Sequence, residues 1–387
     1  MVISVLVVIV CLMQIAFGTL VLIRMVRSAR GEKLDPARSR VDEGAVSVVV
    51  PVLDEELRLA RCLDGLTAHG ATVREILVVD GGSRDGTRAL VARYTARDPR
   101  VRFIDASPVP TTWNGKAWGL ERGLRASDHR ATWILTVDAD IAPRPGLIEA
   151  LIGHAAFTDV AALSIATRQE LGDWGEGLLH PAMLTTLVYR YGLPGRAERD
   201  PLRVQANGQC FLARRDVLLA TDAFAIAKAS RCEDVTTARA LAAAGHRVGF
   251  YEAGDMIVVR MHANWRETWA NWPRSLTLRD QFTRRQSLRG LFEIAFVQAL
   301  PLPLFVGLLL ARAPGWEAQL LFAVNTVLVM MRLGTLAGTV RAYTRPPWTY
   351  WLSPLLDLPV LVALVASAIR RTHTWRGRTL ITTGQTS

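Results

Sequence analysis

The first 23 residues contain no charged side chain. As a helix they would span about 34 Å, against a bilayer hydrocarbon core of roughly 30 Å. Arg24, Arg27, Arg30 and Lys33 follow at once. No basic stretch precedes the run and no small-x-small cleavage site is evident. The expectation is an uncleaved signal anchor, with the basic flank and the domain that follows in the cytoplasm. Apolar sequence returns near the other end. Residues 294–311 are uncharged, with Pro301 and Pro303 expected to kink a helix there. Residues 318–340 are interrupted by Arg332, and residues 350–369 by Asp357. Three such spans would leave the C-terminus outside, whereas Arg370, Arg371, Arg376 and Arg378 favour the inside. Two to three spans are therefore expected, and a re-entrant or interfacial segment would reconcile the two rules. Arg332 and Asp357 either pair or lie near an interface.

Half of the 387 residues are hydrophobic, and the formal net charge is +11. Among the basic residues only Lys33, Lys116 and Lys228 are lysines. A basic balance suits an anionic membrane surface or an anionic substrate. No basic run interleaved with aromatics points to nucleic acid, and none is expected as a partner. Cys11, Cys62, Cys210 and Cys232 have neither metal-ligand nor disulfide-framework spacing. The expected organisation is an anchor over 1–27, a cytoplasmic catalytic domain over 44–260, an interfacial amphipathic segment over 261–289, a membrane region over 290–371 and a basic tail over 372–387.

Within the middle region strand and helix patterns alternate. Val46–Val52 is a continuous apolar run, as in a strand buried on both faces. Helical spacing over 55–69 is followed by a short strand over 75–79 ending at Asp80. A helix over 85–96, a strand over 101–104, a helix over 115–126 and a strand over 132–137 complete the series. Such alternation predicts an α/β, doubly wound sheet. From about 160 to 260 the pattern loosens, and aromatics appear amid basic residues. The chemistry gathers at predicted strand ends, where open α/β sheets bind ligands. The first strand runs into Asp54-Glu55, the second into Asp80-Gly81-Gly82-Ser83-Arg84-Asp85, and the fourth into Asp138-Ala139-Asp140. Residues two apart on an extended chain share a side, so Asp138 and Asp140 can face one cation or one polyol. Taken alone, the same pair could cap the next helix. Lys116 lies at a predicted helix start, a place that favours anions, and could equally be a solvated lysine. Glu233-Asp234 opens a predicted helix over 235–244, where acidic residues also suit the helix dipole.

The order Val-Ser-Val-Val-Val-Pro (46–51), Val-Val-Asp-Gly-Gly-Ser-Arg-Asp-Gly-Thr (78–87) and Asp-Ala-Asp (138–140) resembles family 2 glycosyltransferases with the GT-A fold. The resemblance covers roughly residues 44–280. It implies a GT-A-like doubly wound mixed sheet and a nucleotide-diphosphate sugar donor. Pro51, Glu55 and Asp80 would surround the base and ribose. Asp138 would handle the donor, and Asp140 a divalent cation, Mg2+ or Mn2+. It implies Asp234 as the base acting on the acceptor. Trp113-Asn114-Gly115-Lys116 is similar to a stretch of membrane-bound members that glycosylate carotenoids, hopanoids and related lipids, which puts Lys116 on the donor side. Where many relatives carry Gln-x-x-Arg-Trp, this chain has Asn271-Trp272-Pro273-Arg274-Ser275, and only Arg274 matches. The incomplete signature favours transfer of a single sugar, with Arg274 at the diphosphate.

The expected activity is inverting transfer of one sugar, glucose from UDP-glucose being the family-weighted choice, to a membrane lipid hydroxyl of carotenoid or terpenoid type. The enzyme would be multi-pass in the cell membrane, with the bilayer concentrating its acceptor. A polyprenyl-phosphate acceptor is the alternative within the same chemistry. A nucleotidyltransferase and a non-catalytic membrane scaffold are the alternatives outside it.

Overall fold

Val46–Val52 forms the first strand, with every residue but Pro51 buried. The structure is a computed structural model and describes residues 2–39, 42–230, 232–276, 284–312, 314–369, 372–375 and 378–381. The chain divides into two compact units. One is Gly31–Gln169 with Pro194–Met261; the other is Met1–Arg30 with Glu170–Leu193 and His262–Ser387.

In the first unit the strands run β1 (Val46–Val52), β2 (Val73–Asp80), β3 (Val101–Asp105), β4 (Trp133–Val137), β5 (Ile141–Pro143), β6 (Ala162–Ala166), β7 (Arg168–Gln169), β8 (Arg196–Glu198), β9 (Cys210–Arg214), β10 (Val248–Glu252) and β11 (Ile257–Val259). The main sheet has the order β3-β2-β1-β4-β9-β6-β10-β8, and β5-β11-β7 form a smaller one. From β3 to β4 neighbouring strands are parallel. β9 runs antiparallel to both β4 and β6, β10 is parallel to β6, and β8 is antiparallel to β10. The sheet is thus mixed, as expected.

The alternation of side chains along β1 explains the two layers of core around it. Val46, Val48 and Val50 pack in one cluster with Leu59, Leu63 and Leu66 of helix Leu59–Thr67 and with Ile148 and Leu151 of helix Leu147–Thr158. Val49 faces the other way, with Leu120 and Leu124 of helix Gly115–Ala126. That helix carries Gly119 and Gly123 on the face toward β1. A Cβ on Gly119 would lie 3.0 Å from Pro51 Cβ, and one on Gly123 would collide with Val49. Glycine inside a helix costs about 1 kcal/mol relative to alanine. Here it allows the close approach that sets the helix N-terminus beside the ends of β1 and β4.

Among the described residues, the second unit holds four helices long and apolar enough to cross a membrane: Ser4–Ala29, Arg285–Ala311, Trp316–Ala342 and Trp348–Ile369. The break expected at Pro301 is a π-helical turn, Ala295–Ala299, after which Pro301 starts a new α-helical segment. Proline is tolerated at such a start because its missing N–H has no intrahelical partner to lose. Polar side chains tie the helices together. The Gln14 amide donates to Asn325 Oδ1 at 2.8 Å, and Asn325 Nδ2 donates back to Gln14 Oε1 at 3.1 Å. Arg332 and Asp357 do pair. Arg332 Nε donates to Asp357 Oδ2 at 2.8 Å and Nη2 to Oδ1 at 3.1 Å. Gln298, from the π-helical turn, donates to the same Oδ1 at 2.8 Å.

Both charges are almost fully buried, so losing one strands the other. Asp357→Leu alone is expected to destabilise the protein by about 3–5 kcal/mol, whereas Arg332→Met with Asp357→Leu recovers most of that. Denaturation of the detergent-solubilised variants checks this; equal losses in the single and double variants would contradict it.

Candidate active site

β1 and β2 are in register up to Val52 opposite Asp80, and β1 pairs with β4 on its other side. The carboxyl ends of these parallel strands therefore share one edge. Asp80 is buried there, and its Oδ1 accepts from Gly82 N (3.2 Å), Ser83 N (2.9 Å) and Ser83 Oγ (2.6 Å). Gly82 has φ +101°, a conformation that favours glycine. The loop after β1 is laced to this one. Asp54 N donates to Ser83 Oγ, Glu55 N to Thr87 Oγ1 and Glu56 N to Asp85 Oδ2, while Arg84 N and Gly86 N donate back to Asp54 and Glu56. Asp80 and Glu55 are thus held on one rigid double loop. Pro51 sits half-buried on β1 against Gly119.

Neither Asp138 nor Asp140 caps a helix. The next one, Leu147–Thr158, begins behind Gly146, which offers no side-chain cap. Asp138 Oδ1 instead lies 2.7 Å from Lys116 Nζ. Asp140 is different: its Oδ1 is buried without a hydrogen-bond partner. Burial first, then the charges of Asp138 and Glu55, push its carboxyl up to about 7, against the opposing pull of Lys116 and Arg58. A carboxylate with one buried, unpartnered oxygen among other acids fits a hard divalent cation, which would supply the missing positive charge. Among the described residues no group of three or more His, Cys, Asp or Glu could hold a metal by itself. Such an ion would complete its shell with waters and substrate oxygens, as Mg2+ commonly does.

Lys116 is a second hub. Asn114 caps its helix: Asn114 Oδ1 accepts from Lys116 N at 2.9 Å, and Asn114 Nδ2 donates to Ser230 O at 2.9 Å. Besides Asp138, the ammonium pairs with Glu233 Oε1 at 2.8 Å. Burial alone would push this amine down, but the charges of Asp138, Glu233 and Asp234 outweigh it and hold Lys116 well above its ordinary value. Asp234 opens helix Glu233–Ala243. Its Oδ2 accepts from Gly208 N at 2.6 Å and its Oδ1 from Val235 N at 2.8 Å. Burial, then Glu233, raises its carboxyl to about 7, although Lys116 and the two N–H groups favour its charged form. Lys116, Gly208, Glu233 and Asp234 line one small cavity whose apolar wall includes Leu120, Phe211 and Phe224.

Glu55, Lys116, Asp138 and Asp140 thus form one electrostatic cluster, and Lys116 joins it to Glu233 and Asp234. Two participants are absent from the sequence expectations: Glu233 as a partner of Lys116, and Gly208 as a donor to Asp234. The helix-start chemistry of Asn114-Gly115-Lys116 was a usable signal; the contact with Gly208 was not, because only the fold brings that loop to residue 234. Arg274 belongs to helix Trp265–Leu276 in the other unit, and its side chain lies outside the described residues.

The family model for glycosyl transferase family 2 matches residues 47–220. The succinoglycan biosynthesis protein ExoO of Rhizobium meliloti is 30% identical over 34% of this chain and 34% of its own length. The dolichyl-phosphate beta-glucosyltransferase of Dictyostelium discoideum is 29% identical over 27% of this chain and 33% of its own. The chain thus spans about a third of the length of the curated relatives it matches. Among solved structures, the mannosyltransferase PcManGT of Pyrobaculum calidifontis, in complex with GDP-Man and Mn2+, superposes over 93% of this chain and 98% of its own, with a TM-score of 0.50 and 16% identity. The mixed sheet, its order and this likeness establish a GT-A-like fold. Residues 47–220, which the family 2 glycosyltransferase model matches, carry their acidic strand ends on one edge of this fold.

Proposed function

We propose that the protein is a membrane-bound inverting glycosyltransferase that moves one sugar from a nucleotide-diphosphate donor to a lipid hydroxyl. The observation that carries this reading is Asp234, a half-buried carboxyl held by Gly208 N at 2.6 Å and Val235 N at 2.8 Å and raised by burial and Glu233 to about 7. A base poised there can take a hydroxyl proton at physiological pH. The acceptor oxygen attacks the anomeric carbon, the bond from that carbon to the diphosphate breaks, and the acceptor proton passes to Asp234. Each Asp234 oxygen already accepts one N–H, which fixes the carboxylate while leaving lone pairs for the acceptor.

On this reading Pro51, Glu55 and Asp80 receive the base and ribose, Asp138 orients the sugar, and Arg274 contacts the diphosphate. Asp140 would hold Mg2+ or Mn2+, which when bound neutralises charge on the leaving diphosphate. The four apolar helices support a lipid acceptor, since a bilayer would concentrate one. UDP-glucose is the proposed donor, and a carotenoid or other terpenoid alcohol the proposed acceptor. Mass spectrometry of membrane lipids from cells with and without the protein tests this. A lipid alcohol heavier by one hexose should appear only with the protein; an unchanged lipid profile would refute the reading.

A polyprenyl-phosphate acceptor is the second reading, favoured by the similarity to the dolichyl-phosphate enzyme. A phosphate oxygen carries no proton that must be removed, so on that reading Asp234→Asn leaves turnover intact.

A further inference from the structure

Lys116 is paired twice, to acids with different tasks. Its Nζ lies 2.7 Å from Asp138 Oδ1 at the end of β4, and 2.8 Å from Glu233 Oε1 at the start of the helix that carries Asp234. The space around it is tight: a Cβ on Gly208 would come within 2.8 Å of Nζ and 3.1 Å of Asp234 Cβ. The groups facing Asp234 are Glu233 and Val235 N from its own helix, Lys116 from helix Gly115–Ala126 and Gly208 N from the loop before β9. Lys116 is therefore a cation shared between Asp138 and the Glu233–Asp234 pair. Three carboxylates share one ammonium, so satisfying one of them elsewhere strengthens its hold on the other two.

We propose that Lys116 is a positioning residue that couples occupancy of the donor end to the charge on Asp234, the ammonium passing from Asp138 to the Glu233–Asp234 pair when a donor engages Asp138. The base is then fully charged only once the donor is in place. This rests on the glycosyltransferase reading and goes beyond it, because that reading requires only that Asp234 be a base and not that donor binding control it.

The coupling is readable without turnover. Titration calorimetry of the solubilised full-length protein at pH 7, with UDP-glucose or GDP-mannose plus MnCl2 and no acceptor, is run in buffers of different ionisation enthalpy to count protons released. Wild type should release more protons than Asp234→Asn, because burial and Glu233 raise the Asp234 carboxyl to about 7 and leave part of it protonated before the donor arrives. That difference should vanish in a Lys116→Met background. Glu233→Gln cuts the other arm of the bridge and removes the like charge beside Asp234, so it should abolish the difference too, and it serves where Lys116→Met does not fold. Equal release by wild type and Asp234→Asn would overturn the coupling, as would a difference that persists without Lys116, while leaving the glycosyltransferase reading intact. Failure of both donors to bind would overturn that reading and the coupling with it.

Discussion

Asp234→Asn is expected to lower turnover by at least about 100-fold, the usual scale for loss of a general base, while the protein still folds and binds donor. The amide keeps the shape but cannot take the acceptor proton. The pH profile of the wild type carries the same information. Burial and Glu233 raise the Asp234 carboxyl to about 7, and the base works only when ionised. For the donor-free enzyme, which kcat/KM for the donor reports, activity should therefore rise with pH through about 7 and level off above it. In Asp234→Asn that limb should be gone. Values of kcat/KM for the donor between about pH 5.5 and about pH 8.5, a window that brackets the base, decide the matter. A wild-type profile flat through 7, or near-wild-type transfer by the variant, would remove Asp234 from the mechanism.

Asp140→Ala should cost at least about 100-fold as well, which corresponds to about 2.7 kcal/mol of transition-state stabilisation, within the several kcal/mol a bound cation supplies. Its signature differs from that of Asp234. Donor binding should weaken, and the metal dependence of what remains should be altered. Stability should move the other way: Asp140 Oδ1 is buried and has no partner, so deleting the carboxylate removes a cost and Tm without ligand should not fall. Calorimetry for donor binding and thermal melts of the donor-free protein separate these effects. A variant that binds donor as the wild type does would show that Asp140 holds no ion the donor needs.

The parallel half of the fold was legible because its strands are nearly unbroken apolar runs; β1, β2 and β4 lie within two residues of where the sequence put them. The antiparallel half was not. β6 reads Ala-Leu-Ser-Ile-Ala and β9 Cys-Phe-Leu-Ala-Arg, five-residue runs rich in small residues that periodicity alone does not assign. The helix Trp174–Tyr191 carries Pro181 inside it, a residue that argues against a helix in sequence. In the site, the acidic strand ends could be read because strand ends are where such sheets bind ligands. The shared face expected for Asp138 and Asp140 was only half the answer. Asp138 is tied to Lys116, and Asp140 alone keeps a buried oxygen without a partner. No spacing rule foretells that, since Lys116, Asp138 and Glu233 come from three separate elements. The pairing of Arg332 with Asp357 was one of two options in sequence, and packing among the apolar helices selects it.

Whether this site transfers sugar to a lipid is read most simply by reconstitution. The purified full-length protein, in bilayers made from its host's lipid extract, is given UDP-glucose or GDP-mannose with MnCl2. Released nucleoside diphosphate and hexosylated lipid are then both quantified by mass spectrometry. The two products should form in equal amounts, and both should be lost in Asp234→Asn. Diphosphate release without a glycosylated lipid, or no release at all with either donor, would contradict it.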